Sequence, residues 1–144
     1  MKFTTQRTVR FADCDPAGIV FYPQYMVMLN TLAEVWFDEA LKIPYAALIH
    51  ERRTGLPTVR LEVDFTAISR HGEQLVLSVE IEKLGRSSLT IAAEFRSVAG
   101  SVAGSELRLR ARQVLVCTSL VTHKAQPLPD DVRAALLPYM VEAA

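Results

Sequence analysis

The sequence predicts an α+β fold in which a curved antiparallel sheet wraps around one long central helix. Residues 23–42 carry the pattern of one long, mostly apolar helix, and no second helix of that length follows. Four strand-like runs come after it, three of them alternating apolar and polar residues at period two. Such alternation marks strands with one buried and one wet face, as in antiparallel sheets. One helix cannot supply a crossover for every strand, so a doubly wound arrangement is excluded and the sheet must cover the helix.

The elements follow in order. Residues 3–12 read as a first strand anchored by Phe3, Val9 and Phe11. Residues 13–22 are irregular, and Asp15-Pro16-Ala17-Gly18 has the preferences of a type I turn, with Asp first, Pro second and Gly fourth. The helix is expected to begin at Pro23, because proline suits the first helical position. Within it Gln24, Thr31, Glu34, Asp38 and Lys42 make a narrow polar stripe, and apolar residues such as Met28, Leu32 and Trp36 cover most of the rest. A helix this apolar is nearly surrounded by protein. Pro44 ends it, 45–52 add a short helix, and Gly55 and Pro57 mark a loop.

Runs 59–66, 75–84 and 89–97 alternate cleanly, with Val59, Leu61, Val63 and Phe65 as the apolar set of the first. Residues 97–105 are small-residue loop material joining a hairpin. In 107–118 the apolar phase flips between Ala111 and Val114, which predicts a bulge or burial on both faces. Pro127 and Pro129 open a C-terminal helix over 129–138. A single sheet layer leaves an edge or face open, so a homo-oligomer is expected.

Composition bounds the function. The 144 residues suit one domain, 1–144, and half of them are apolar. Acids and bases balance at 16 each, so no global field favours nucleic acid or an anionic membrane. The two cysteines, Cys14 and Cys117, form no CxxC pair, and His50, His71 and His123 show no metal-ligand spacing. No metal site is expected. The N-terminus lacks an apolar signal region, and no uncharged stretch reaches the ~18 residues that span a bilayer. A cytoplasmic protein is the expectation.

One segment carries chemistry. Asp13-Cys14-Asp15-Pro16-Ala17-Gly18-Ile19-Val20, followed by Phe21-Tyr22-Pro23 and Tyr25, resembles the signature of the 4-hydroxybenzoyl-CoA thioesterase family, whose members have the hotdog fold. The strand–helix–strand order is similar to that family up to about residue 118. The resemblance implies an acyl-CoA thioesterase with Asp15 as catalytic carboxylate, acting as nucleophile or as general base for water. It implies that the backbone N–H of Tyr22 faces the thioester oxygen, that Gly18 lets loop and substrate approach, and that Tyr25 contributes to substrate binding. A thioester is already electrophilic and its thiolate leaves readily, so no cofactor is called for, and no GxSxG motif is present.

Two positions depart from the family pattern. Arg86 and Ser87 fall where relatives contact Coenzyme A with a cluster of bases; here Lys83 and Arg86 are separated by Leu84 and Gly85. Arg suits bidentate phosphate binding, yet Arg86 also reads as a solvated turn residue. Asn30 falls where the hydroxybenzoyl enzyme has a carboxylate facing the ring hydroxyl; Asn can still hydrogen-bond a hydroxyl but brings no charge. The acyl group is therefore a small aromatic or a short aliphatic one.

Bland readings stand beside these. Asp15-Pro16 alone is a turn initiator, and Asp13 alone a surface acid. Cys14 lies between two acids, which suppress its thiolate, and Cys117 is expected in the core. His71 reads as part of a turn near the pocket mouth. The alternatives in function are an acyl-carrier-protein thioesterase on the same scaffold and a non-catalytic acyl-CoA-binding module. By resemblance the assembly is a dimer or a tetramer of two dimers.

Overall fold

The computed structural model describes residues 1–98 and 105–141. Strand β1 (Phe3–Thr8) leads through a 3₁₀ turn (Phe11–Asp13) and a loop into helix α1 (Tyr22–Val35), which continues as a π-helical segment, Trp36–Leu41. Helix α2 (Tyr45–His50) and strands β2 (Thr54–Gly55), β3 (Thr58–Phe65), β4 (Gln74–Leu84), β5 (Ser88–Ser97), β6 (Leu107–Val116) and β7 (Thr118–Ser119) follow. Helix α3 (Asp130–Leu136) and a last 3₁₀ turn, Leu137–Tyr139, complete the chain. Five strands form one antiparallel sheet in the order β1-β4-β5-β6-β3, and β2 pairs with β7 in a separate ribbon.

The alternation read from the sequence divides the sheet's two faces. Leu75, Leu77, Val79 and Ile81 of β4, and Leu89, Ile91, Ala93 and Phe95 of β5, are buried in one cluster with Met28, Leu32 and Trp36 of the long helix. The outer face carries charge, with Arg112 bonded to Glu82 and both Arg96 and Arg110 bonded to Glu94. Of the polar stripe of the long helix, Thr31, Glu34, Asp38 and Lys42 are exposed and Gln24 is half-buried. The last turn closes on Lys42 in the left-handed conformation, just ahead of Pro44. No helix among the described residues is long and apolar enough to cross a membrane.

Four expectations change. The first strand ends at Thr8, and Phe11, read as one of its anchors, is 79% exposed. The helix starts at Tyr22, which places Pro23 second rather than first. Strand β3 is an outer strand, so its apolar set is largely uncovered: Val59, Leu61 and Phe65 are exposed. Finally, β6 has no bulge between Ala111 and Val114. Its pairing with β5 is regular there, Ile91 opposite Gln113 and Ala92 opposite Arg112. Leu109, Ala111, Gln113, Leu115 and Cys117 all point into the buried side. The phase never flips; a glutamine occupies one inward position. The shifts in register fall elsewhere, beside Arg108 and Val59. The loop expected over 97–105 lies mostly outside the described residues.

Candidate active site

Backbone hydrogen bonds give the segment before α1 its shape. The Gly18 N–H donates to the Asp15 carbonyl at 3.0 Å, closing the four-residue turn expected at Asp15-Pro16-Ala17-Gly18. The Asp15 N–H donates back to the Ile19 carbonyl, and Cys14 bridges Val20 in antiparallel fashion. Gly18 has a φ of +78°, the left-handed region that favours glycine, and nothing lies within 4 Å of where its Cβ would be. Backbone conformation, rather than a close approach within the chain, accounts for this glycine.

The two carboxylates of the motif are treated differently. Asp13 is buried; it accepts from Arg7 Nη2 at 2.9 Å and from the Arg10 N–H at 2.9 Å, and its carbonyl takes the Phe21 N–H. It is a structural acid, not the surface acid its sequence context suggested. Asp15 is only half-buried, and its Oδ1 accepts the Ala17 N–H at 2.8 Å. That single bond fixes the carboxylate against its own turn and leaves Oδ2 available. Cys14, between them, is bonded through Sγ to the Arg10 carbonyl. Burial first, then the neighbouring Asp13 and Asp15 charges, push its thiol pKa up, which suppresses the thiolate.

Helix α1 begins directly after this loop. Tyr22 is its first residue, so the Tyr22 N–H has no acceptor within the helix and lies at the partly positive end. The side chain of Tyr22 is exposed and meets Phe65 edge-on at 6.3 Å. Beside them an open depression of about 340 Å³ is lined by Val20, Tyr22, Tyr25, Phe65 and residues 66–68.

A second loop, 66–73, clamps the first. The Ser69 carbonyl takes the Val20 N–H, the His71 N–H donates to the Gly18 carbonyl, and Gly72 donates to Val9. Behind it lies a buried network: Tyr25 Oη bonds Ser69 Oγ at 3.0 Å, and Arg108 reaches the Ile68 carbonyl and both oxygens of Glu73. The Arg108 bonds hold the Glu73 carboxyl below its usual range. Tyr25, expected at the substrate, is buried and tied to Ser69, with its ring against Phe65 and Phe95, and it also lines the depression beside Tyr22. His71 lies beside the Asp15 turn, as expected of its loop, with its ring 5.8 Å from that of Phe11.

The other expected site residues lie apart from Asp15 within one chain. Asn30 is exposed on α1, eight residues beyond Tyr22, or ~12 Å along the axis. It lines a cavity of about 270 Å³ between α1, α2, β3 and β6, with Thr58, Gln113, Trp36 and Tyr45. Arg86 and Ser87 form the turn between β4 and β5, whereas the Asp15 clamp precedes β4. The 11 residues of β4 separate the two by roughly 35 Å. The Ser87 carbonyl takes the Cys117 N–H, and Arg133 donates to the Gly85 and Arg86 carbonyls. The Arg86 side chain stays exposed. Sequence reasoning passed over Gln113; its only signal was the polar residue that interrupts the apolar phase of β6.

The description of a thioesterase-like superfamily matches residues 9–136 of the chain. Among named proteins, the chain is 27% identical over 134 residues to a 1,4-dihydroxy-2-naphthoyl-CoA hydrolase of Synechocystis, covering 93% of this chain and 94% of that one. It is 28% identical over 110 residues to the 4-hydroxybenzoyl-CoA thioesterase of a Pseudomonas species, covering 76% of each. Among solved structures, a 1,4-dihydroxy-2-naphthoyl-CoA thioesterase from Synechocystis superposes with a TM-score of 0.84 at 28% identity, covering 95% of this chain and 96% of its own. The Pseudomonas 4-hydroxybenzoyl-CoA thioesterase superposes at 0.82 and 25%, covering 93% and 98%. These are hotdog folds, and the sheet-around-helix architecture described above is the same.

Proposed function

The chain belongs to the thioesterase-like superfamily, and from that premise we propose that it hydrolyses the thioester of a small acyl-CoA, aromatic acyl groups foremost, to free acid and CoA. The observation that supports this most is the Asp15 turn. A carboxylate with one oxygen bonded and one available stands at the entrance to α1, whose first N–H, that of Tyr22, has no acceptor within the helix. With the thioester carbonyl against the Tyr22 N–H, charge developing on its oxygen is stabilised by a fixed donor and by the helix end. Asp15 then attacks the carbonyl carbon and expels the CoA thiolate, leaving a mixed anhydride that water opens to free acid and Asp15, or it takes a proton from a water that attacks the carbon and expels the thiolate itself. Gly18 keeps the turn in the one conformation that presents Asp15 this way. The relatives named above act on aryl-CoA thioesters, which favours an aromatic over a short aliphatic acyl group.

The reading includes a second copy of the chain. The Phe65 end of β3 lies against the start of α1, and its Thr58 end lies beside Asn30, so the strand runs antiparallel to the helix. The outer edge of β3 is unpaired in the sheet and carries exposed Val59 and Leu61. Such an edge invites antiparallel pairing with itself. That pairing would bring the Asp15 and Tyr22 end of one copy beside the Asn30 flank of the other. It would also turn that Asp15 toward the end of the partner sheet that carries Arg86 and Ser87, where the CoA phosphates would meet Arg86. Two such pairs make the tetramer that the family resemblance implies, and acyl-CoA substrates imply a cytoplasmic site of action.

The test is thiol release from a panel of aryl- and alkyl-CoA thioesters by wild type and Asp15→Asn. Hydrolysis that collapses in the variant supports the assignment. Activity that survives Asp15→Asn removes Asp15 from the mechanism, and inertness toward every CoA thioester turns the reading toward a carrier-linked substrate or a binding role. In a single turnover in heavy-oxygen water, label on Asp15 with an unlabelled product identifies the nucleophilic role, because an anhydride opened at the Asp15 carbonyl hands an enzyme oxygen to the product.

A further inference from the structure

We infer that Gln113 reads the acyl group: the free end of its side-chain amide is the partner of a hydroxyl carried by the ligand. This rests on the acyl-CoA reading and adds the residue that selects the substrate. Gln113 stands on the inward face of β6 at 7% exposure. Its Nε2 lies 2.6 Å from Thr58 Oγ1, while its Oε1 is buried with no partner. A buried polar atom without a partner is destabilising, and an apolar residue would fill this inward position of a core strand without that cost. The residue lines two adjoining cavities along α1, which share Val27, Asn30, Thr58 and Gln113. A second buried atom without a partner, the indole Nε1 of Trp36, belongs to the wall of the deeper one.

The chemistry of the wall narrows the ligand. A threonine hydroxyl both donates and accepts, so the Gln113 amide can meet it with either end, and the other end is left over in both cases. A hydroxyl on the ligand satisfies that end whichever it is. A carboxylate does not suit, because no Lys, Arg or His lines the cavity and Glu34 stands in its wall. Trp36, Phe37 and Tyr45 supply flat apolar surface for a ring. The group that fits is therefore a neutral hydroxylated aromatic, with its hydroxyl directed at the amide between Thr58 and Asn30.

The experiment compares kcat/KM for benzoyl-CoA and for its 2-, 3- and 4-hydroxy derivatives, with wild type and Gln113→Met. Methionine keeps the length and removes both hydrogen-bonding ends. Wild type is expected to favour at least one hydroxybenzoyl-CoA over benzoyl-CoA by ~10²-fold or more, since a site built to bond a hydroxyl rejects the analogue lacking it. Gln113→Met is expected to lose that preference, the ratio of kcat/KM for the favoured hydroxybenzoyl-CoA to that for benzoyl-CoA falling toward one. Equal rates in wild type, or a preference that survives Gln113→Met, would overturn the inference. If Gln113→Met does not fold, Thr58→Val tests the same point, because the amide then loses the bond that orients it. If wild type hydrolyses no thioester, the proposed activity fails separately. Calorimetric titration with the same four acyl-CoAs then decides: a hydroxyl-dependent affinity lost in the variant supports the subsite, and its absence sinks it.

Discussion

The start of α1 and the flank of the same helix, two turns further on, differ in how much of their bonding one chain completes. At the start, the turn 15–18, the buried Asp13–Arg7 pair and the Tyr25–Ser69–Arg108–Glu73 network hold the loops around Asp15, although Arg7 Nε is buried without a partner and Arg108 Nε meets only the Glu106 carboxylate. Along the flank, apolar surface is left open as well. Val59 and Leu61 are exposed, Val27 is 51% exposed, and Gln113 Oε1 is buried without a partner. The first region is a hydrogen-bonded scaffold around one carboxylate. The second is an exposed apolar surface beside a cavity, where the proposed second copy and acyl group would bind.

The contrast is sharpest at Asp15. Asp15→Asn keeps the turn's hydrogen bond, so the melting temperature is expected to stay near that of wild type while turnover falls by ~10²–10⁴-fold. Comparable loss of stability and activity would mean that Asp15 is scaffold. On the flank, Leu61→Asp places a charge on the free edge of β3, where two-fold pairing brings it opposite or near its own copy. Self-association is expected to weaken by ~10²-fold or more, read by sedimentation, with activity lost although Asp15 is untouched. An unchanged mass would show that β3 is not the pairing edge.

Smaller effects probe the scaffold. Asp13→Ala leaves Arg7 and the Arg10 N–H without their acceptor, and a loss of about 2 kcal/mol is expected from urea unfolding. The smallest effect concerns acid. Glu73 titrates below its ordinary value, chiefly through its bonds from Arg108 and against the opposing effect of burial. A carboxyl whose folded pKa is depressed adds stability above its unfolded value, and that contribution is lost as pH falls through the folded one. Wild type and Glu73→Gln should therefore differ at neutral pH and converge in acid. A gap that persists at low pH would assign the Glu73 contribution to packing instead.

Much of the first region was legible from the sequence, because local chemistry dictates it. Asp-Pro-Ala-Gly specifies its turn through proline's fixed φ and glycine's access to positive φ, and the apolar run after Pro23 specifies the helix. Asp13 was not legible. Its burial depends on Arg7 arriving from β1 and on the chain turning at Phe11, which period-two spacing had placed inside a strand. Alternation told which residues of β3 share a face, but not that this strand would lie outermost with nothing over it. On β6 the spacing between Ala111 and Val114 predicts a bulge or burial on both faces, and the regular pairing with β5 shows neither, but one inward row that includes Gln113.

By itself, then, the sequence determined the helix, the alternating strands, the Asp15 turn and the family they belong to, since each depends on residues close along the chain. The tertiary structure decided strand order, the fate of each acid, the distance between Asp15 and the Asn30 flank, and the inward placement of Gln113. These depend on which distant segments meet, and burial and hydrogen-bond satisfaction are properties of that meeting rather than of any one segment.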